Sequence, residues 1–445
     1  MPTNRRPYQL PEPLLCDPER VRDGVSMTIV EEYRRRHEAR LPRYDYLENL
    51  YRGFHDVYRQ PEKEQWKPDN RLAVNFPRYI TDTFLGYACG IPIKKSHPDE
   101  AVSEALRAFE QRNEITDHEF ELAKRCCIYG HAWEYFYQDE RAETCLAACS
   151  PKELFCVYDD TVRTRALFAV RYGVREDGYT HFGEILTRQE IATFEGSDII
   201  SRAENPYGRI PAVEWQLNAE RMGLFEEVSG LVEAYNHTIA EKANDVDAFA
   251  EAYLVILGAE LDEEGVYRIR DNRIINLYGT NNAKDILVQF LTKPTADGTQ
   301  ESLLDRLERL IYQTSMVANI SDESFGSASS GVSLAYKLQA MSNLALTFDR
   351  KIEKSLRKRY KLWSSLATNV PDPEAWREVR IQTSRNLPKN RLEEAQTAQA
   401  MEGLVSRQTQ LGVLSVVEDP AAELAQIDRE ADEAARAADR RSWGA

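Results

Sequence analysis

Cys145, Cys149 and Cys156 follow one another closely and His131 precedes them, a set with the right atoms to hold a soft metal ion. The intervals match no zinc pattern, and the seven cysteines of the chain, at 16, 89, 126, 127, 145, 149 and 156, form no CxxC pair. An odd number of unpaired thiols suits a reducing compartment and ordinary burial. Asp159 and Asp160 could work as a general acid and base, but they fall where a strand pattern turns, which is the structural reading of such a pair. The seven histidines, at 37, 55, 97, 118, 131, 181 and 237, stand in no legible spacing with a nucleophile. No GxxxxGK[ST], HExxH, GxSxG or strand-led GxGxxG occurs. The expectation is a protein that is not an enzyme, with no catalytic residue, no metal and no cofactor.

The charged and small residues offer another chemistry, that of surfaces. With 73 acidic against 57 basic residues the net charge is −16. That argues against a protein gripping nucleic acid through a broadly basic surface, but not against one past which DNA slides. Acids gather on one predicted helix, where Glu226, Glu227, Glu233, Glu241, Asp245, Asp247 and Glu251 stand against a single Lys242. The one dense basic run is Arg350, Lys351, Lys354, Arg357, Lys358, Arg359 and Lys361, interleaved with Asp349 and Glu353. Cations in the C-terminal half of a helix also suit its dipole, so the run has a structural reading beside a binding one. Between the two lies a loop of small residues, 321–333, with Asp322, Glu323 and Phe325 as its only charged or bulky members. Ser324, Gly326, Ser327, Ser329, Ser330 and Gly331 give it conformational freedom. Loops longer than about 12 residues in compact domains are usually functional or disordered.

The elements that must position these residues can be read in outline. A content of 42% hydrophobic and 10% aromatic residues is ample for packed cores. The N-terminus lacks an apolar signal region and no apolar run is long enough to span a bilayer, so neither secretion by signal peptide nor a membrane span is expected. Asn75 caps a helix that Pro77 opens and Gly90 and Pro92 end. Residues 99–130 read as helical. Then Trp133, Tyr135 and Tyr137 alternate, and an antiparallel sheet of short strands runs on to Ile200, with turns at Asp159-Asp160 and Glu176-Asp177-Gly178. The result is an α+β domain over 1–223. A long helix follows over 224–257, then a module over 258–299 too small for a core of its own. A second helix over 300–320 leads to the loop, and a third helix follows from Leu334. Residues 376–384 alternate like a strand returning to the first domain, and the chain from 391 on is helical, broken by Gly412 and Pro420.

Three stretches stand in order within this plan: Asn75-Phe-Pro-Arg-Tyr-Ile-Thr-Asp-Thr-Phe-Leu-Gly-Tyr-Ala-Cys-Gly-Ile-Pro-Ile93, Ser150-Pro-Lys-Glu-Leu-Phe-Cys-Val-Tyr-Asp-Asp160 and Asn205-Pro-Tyr-Gly-Arg-Ile-Pro-Ala-Val213. With the order of elements, they make residues 25–390 resemble the portal proteins of tailed bacteriophages, in particular the siphophage-type portal family. The resemblance implies an α+β fold with portal-like architecture. The wing would be 1–223 with 334–390, the stem helices 224–257 and 300–320, the α/β clip 258–299, the tunnel loop 321–333 and a short helical crown 391–445.

It further implies a ring of about twelve subunits at one capsid vertex of a virion, assembled in the host cytoplasm. Double-stranded DNA would be packaged and ejected through its axis. Partners would be the terminase packaging motor, a head-tail adaptor, and the major capsid and scaffold proteins, with no membrane. The tunnel-loop residues named above would meet DNA. Glu233, Glu241, Asp245 and Glu251 would be stem residues facing the channel, Lys351, Lys354, Arg357 and Lys358 a basic helix surface, and Tyr267, Arg268, Arg270 and Arg273 partner-binding residues of the clip. The competing reading is a helical scaffold or adaptor that oligomerises without conducting DNA.

Overall fold

The computed structural model describes residues 12–64, 67–250, 253–257, 287–291, 297–320, 335–386, 391–414, 416–417, 420 and 423–431. The chain divides into two compact units. One comprises 1–320 with 338–384, the other 321–337 with 385–445.

In the first unit, α1 (Met27–Glu38) and α2 (Leu41–Arg52) lead to α3 (Phe76–Ala88), whose capping residue is indeed Asn75, accepting the Arg78 N–H at 3.1 Å. The helical stretch read as 99–130 is two helices, α4 (Glu100–Arg112) and α5 (Ile115–Tyr129), broken at Asn113 and at Glu114, which has φ 45°. The break has a use. Asn113 Nδ2 donates to the Thr144 carbonyl and its Oδ1 accepts the Leu146 N–H at 2.7 Å, so this side chain pairs with strand β4 (Thr144–Cys149) as a neighbouring strand would. Further along the same strand the Arg125 guanidinium covers the Ala148 carbonyl.

The expected single antiparallel sheet is in fact two. β1 (Leu14–Cys16), β5 (Leu154–Asp159), β6 (Ala166–Val174), β7 (His181–Leu186), β8 (Glu190–Glu195) and β9 (Asp198–Glu204) make one six-stranded sheet, with β1 parallel to β5. β10 (Ala212–Gln216), β3 (His131–Gln138) and β4 make the other. The separation follows from β3 being buried on both faces: Trp133 and Tyr135 pack with Leu154, Ala169 and Leu186 between the sheets, while Ala132, Glu134 and Phe136 are also buried. The outer face of the large sheet buries Phe155, Val157, Phe168 and Val170 under Ile29, Val30 and Tyr33 of α1. Gly130, at φ 89°, joins α5 to β3 where any Cβ would lie 2.0 Å from the Arg221 carbonyl oxygen, so only glycine fits.

The helix expected over 224–257 is shorter. A 3-10 turn (Glu226–Val228) precedes α6 (Ser229–Ala250), and Tyr253–Leu257 forms β11, antiparallel to β12 (Leu287–Leu291). Tyr253-Leu-Val-Ile-Leu257 is an unbroken apolar run, which periodicity alone assigns to neither state and which its β-branched and aromatic members carry into a strand. The helix expected over 300–320 is α7 (Asp297–Ser315), stopped by Met316 at φ 59°. α6 and α7 pack together as a hairpin.

α8 (Gln339–Trp363) lies on the wing with Phe348, Ile352, Leu356 and Tyr360 buried. The return strand expected within 376–384 is β13 (Arg380–Gln382), which pairs with β2 (Lys94–Ser96).

The second unit contains α9 (Arg391–Ala400) and α10 (Arg407–Leu411), with Ser406 capping the latter. Gln410 Nε2 donates to the Ala398 carbonyl at 2.7 Å. No helix of the described residues is long and apolar enough to cross a membrane.

Candidate functional site

The residues that sequence reasoning placed on a DNA path belong to the stem helices and the loop after them. α3, α6 and α7 meet in an aromatic cluster. Phe76 of α3 meets Tyr235 of α6 edge-on at 4.9 Å between ring centroids and Tyr312 of α7 at 5.8 Å, and Tyr79 packs on Tyr312 in the same way. Beyond α7, Val317 is buried and the Ile320 N–H donates to Tyr79 Oη at 3.0 Å, so the chain is anchored up to the residue before the loop. On the far side Leu338 is buried again. The loop residues Asp322, Glu323, Ser324, Phe325, Gly326, Ser327, Ser329, Ser330 and Gly331 lie outside the described residues, as do Glu251 and the clip residues Tyr267, Arg268, Arg270 and Arg273.

The acidic side of α6 is not the bare face that the sequence suggested. Residues 53–75, between α2 and α3, run out along the helix and back, and they bond to it at both passes. Outward, Glu233 accepts from His55 Nδ1 at 3.3 Å and from the Asp56 N–H at 3.2 Å, and Glu241 pairs with Lys63 Nζ at 2.8 Å. On the return, Asn244 Oδ1 accepts the Asn70 N–H at 2.6 Å, Asp247 accepts from the Asn70 side chain, and Asn236 Oδ1 accepts the Val74 N–H at 2.8 Å. Each pair of helix residues, 233 with 241 and 236 with 244, is eight positions apart, two steps along an inclined i, i+4 ridge of the helix. Asp245 turns instead to α7 and accepts from Gln300 Nε2 at 3.2 Å. Glu226, before the helix, is fully buried and held by Arg43, whose Nε donates at 2.8 Å. The carboxylates Glu233, Glu241 and Asp245 are thus all partnered within the chain. The strap itself was missed because its bonds join residues more than 160 positions apart and leave no period in its own sequence.

The basic run divides in two. Lys354, Arg357 and Lys358 are exposed and Lys351 is half-buried, with Arg357 paired to Glu353 at 2.7 Å one turn back. Arg359 is wholly buried. Its Nε lies 3.0 Å from both oxygens of Glu134 and a terminal nitrogen bonds Glu119, which also takes Lys95 Nζ at 2.8 Å. Burial alone would raise the Glu134 pKa, but the Arg359 charge overrides it and holds that carboxyl at about 2. His118 bonds the same carboxylate at 2.8 Å. Arg359 could have been separated in the sequence, because it continues the three-to-four spacing of Phe348, Ile352 and Leu356 onto the buried face.

The candidate metal set does not form. Cys149 and Cys156 are buried thiols pushed up to about 11 and about 12 by desolvation, and His131 bonds Tyr44 and Glu214. Among the described residues no group of potential ligands could hold a metal ion.

The three-stranded sheet, the paired helices 229–250 and 297–315 and the anchored loop entry form one arrangement, and a family model recognises nearly all of it. Residues 30–437 match the model described as phage portal protein, SPP1 Gp6-like. The chain belongs to that phage portal protein family. A curated relative, the portal protein of Bacillus phage SPP1, is 21% identical over 422 residues, covering 86% of this chain and 80% of the relative. Among solved structures, chains from the neck of a native gene transfer agent particle computed with C12 symmetry and of an empty one computed with C6 symmetry align at 11% identity. Their TM-scores are 0.46 and 0.43, with 77% and 76% of this chain and 90% and 89% of those chains covered.

Proposed function

We propose that this portal-family chain assembles as a ring of about twelve copies at one vertex of a phage-type capsid, and that double-stranded DNA enters and leaves along the ring axis. The observation that carries this reading is the family match over residues 30–437. The wing is 1–223 with 334–390. The stem is the α6 and α7 hairpin, the clip is 258–299, and 391–445 is the crown. The clip residues Tyr267, Arg268, Arg270 and Arg273 are offered to a packaging motor and a head-tail adaptor, and the wing to capsid and scaffold proteins. Particle imaging tests the ring. Annular particles with a central hole wide enough for a duplex are expected, and a stable monomer or dimer at micromolar concentration would overturn the reading.

Loop 321–333 is the constriction. Its small residues let copies in one ring take different conformations around a helical polymer of mismatched symmetry. The chain before it is held by Tyr79 and the buried Val317. Contact with DNA is steric, through Phe325, while Asp322 and Glu323 prevent adhesion to phosphate. Particles carrying Asp322→Lys with Glu323→Lys are expected to package or retain less DNA, measured as genome content per particle, and full genome content would defeat this role.

A further inference from the structure

α8 presents a basic stripe, and the cavity that another of its faces helps to wall is lined by acids of α5. At about 100° per residue, Arg350, Lys351, Lys354, Arg357, Lys358 and Lys361 fall within roughly 120° of arc, and Arg350, Lys354 and Lys358 are exposed with no ion pair among the described residues. Exposed Leu346 stands at the start of the same stripe. On the other side Ile352 helps wall a cavity of about 630 Å³, floored by Ile91, Phe120 and Trp215 and rimmed by Glu114 and Asp117. Both rim acids are exposed and neither has an ion pair among the described residues.

A closed ring of identical chains is built from heterologous contacts, in which one side of each subunit meets the opposite side of the next. We infer that the α8 stripe of one copy docks on the acid-rimmed cavity of a second copy of this chain, with Arg350 and Lys354 facing Glu114 and Asp117 and Leu346 covering the apolar wall. A basic stripe and a separate acid-lined cavity on one subunit are what such a contact requires, and their pairing fixes the direction of packing around the ring. A nucleic-acid site would have no use for the leucine, and the interleaved Asp349 and Glu353 would weaken it. The inference rests on the ring reading proposed above.

Two reversed variants test it, Arg350→Glu with Lys354→Glu on the stripe and Glu114→Lys with Asp117→Lys on the rim. Ring formation by the full chain is measured by sedimentation and imaging. Each variant alone juxtaposes like charges at every interface and loses at least about tenfold in ring yield. Mixed together they restore rings in which the two variants alternate. Rings from either variant at wild-type yield, or a mixture of folded variants that stays unassembled, would overturn the inference. Where a reversed variant loses its thermal unfolding transition, the neutral pairs Arg350→Gln with Lys354→Gln and Glu114→Gln with Asp117→Asn take its place. Both are expected to lower ring yield, and unchanged assembly of both also overturns it. Normal rings of the stripe variant that no longer retain duplex DNA would assign the stripe to nucleic acid and defeat the proposal. A wild-type chain that forms no ring defeats the ring reading itself, and this inference with it.

Discussion

Two long helices bind the rest of the subunit through ionic and amide side chains, and they differ in how much of that bonding water reaches. α8 holds the wing through Arg359, Glu134 and Glu119, whose side chains are 0%, 0% and 7% exposed. α6 holds the strap through Lys63 and Glu241, 26% and 41% exposed, and through asparagines that bond to backbone. The partners are similar in kind, but water decides what each arrangement does. A buried network with every oxygen satisfied fixes one geometry and breaks only at large cost, because a lone charge would be stranded in the core. Along α6 the rungs alternate: the half-exposed pair of Lys63 with Glu241 can exchange its bond with solvent, while His55, Asn236 and Asn244 are buried and hold theirs. The difference assigns one fixed geometry to the contact of α8, and to the strap along α6 a set of buried fixed points joined by exchangeable bonds.

Replacing Arg359 with Met should give the largest effect. It leaves Glu134 buried without its guanidinium and Glu119 with Lys95 alone, for a loss of about 3–5 kcal/mol, read as a lower urea midpoint at unchanged slope. A loss below 1 kcal/mol would mean that the network is as dispensable as the ladder and would erase the contrast.

On the stem side the expected losses are smaller and graded. Asn236 is fully buried, so Asn236→Ala strands the Val74 N–H and should cost about 1–3 kcal/mol. Lys63→Ala removes a half-exposed pair and should cost less than about 1 kcal/mol. Amide hydrogen exchange sharpens this: Val74 should lose protection in Asn236→Ala and keep it in Lys63→Ala. Equal effects in both would show that the strap is released as one piece.

Much of this was legible in the chain, for identifiable reasons. The Asn75 cap, the Pro77 start and the glycine stop of α3 are local signals, and the structure follows them. The turn at Asp159 is local too, with its carboxylate accepting from Thr161. What escaped depends on contacts between distant residues. Nothing near Glu233 or Asn244 announces that residues 53–75 will lie over them, and the apolar run at 253–257 reads as helix or strand until its partner at 287–291 is known. Arg359 was hidden by company: six neighbouring cations made it look like part of a surface, although its phase put it with the core.

The amide of Asn113, bonded to β4 where a further strand would otherwise pair, has a consequence for a protein that must exist in many copies side by side. An open strand edge on every subunit would let copies add to one another without limit, as fibres do. With that edge filled by a single side chain, and a further carbonyl by Arg125, β4 is closed to sheet-to-sheet growth and association there is left to surfaces whose geometry can close on itself.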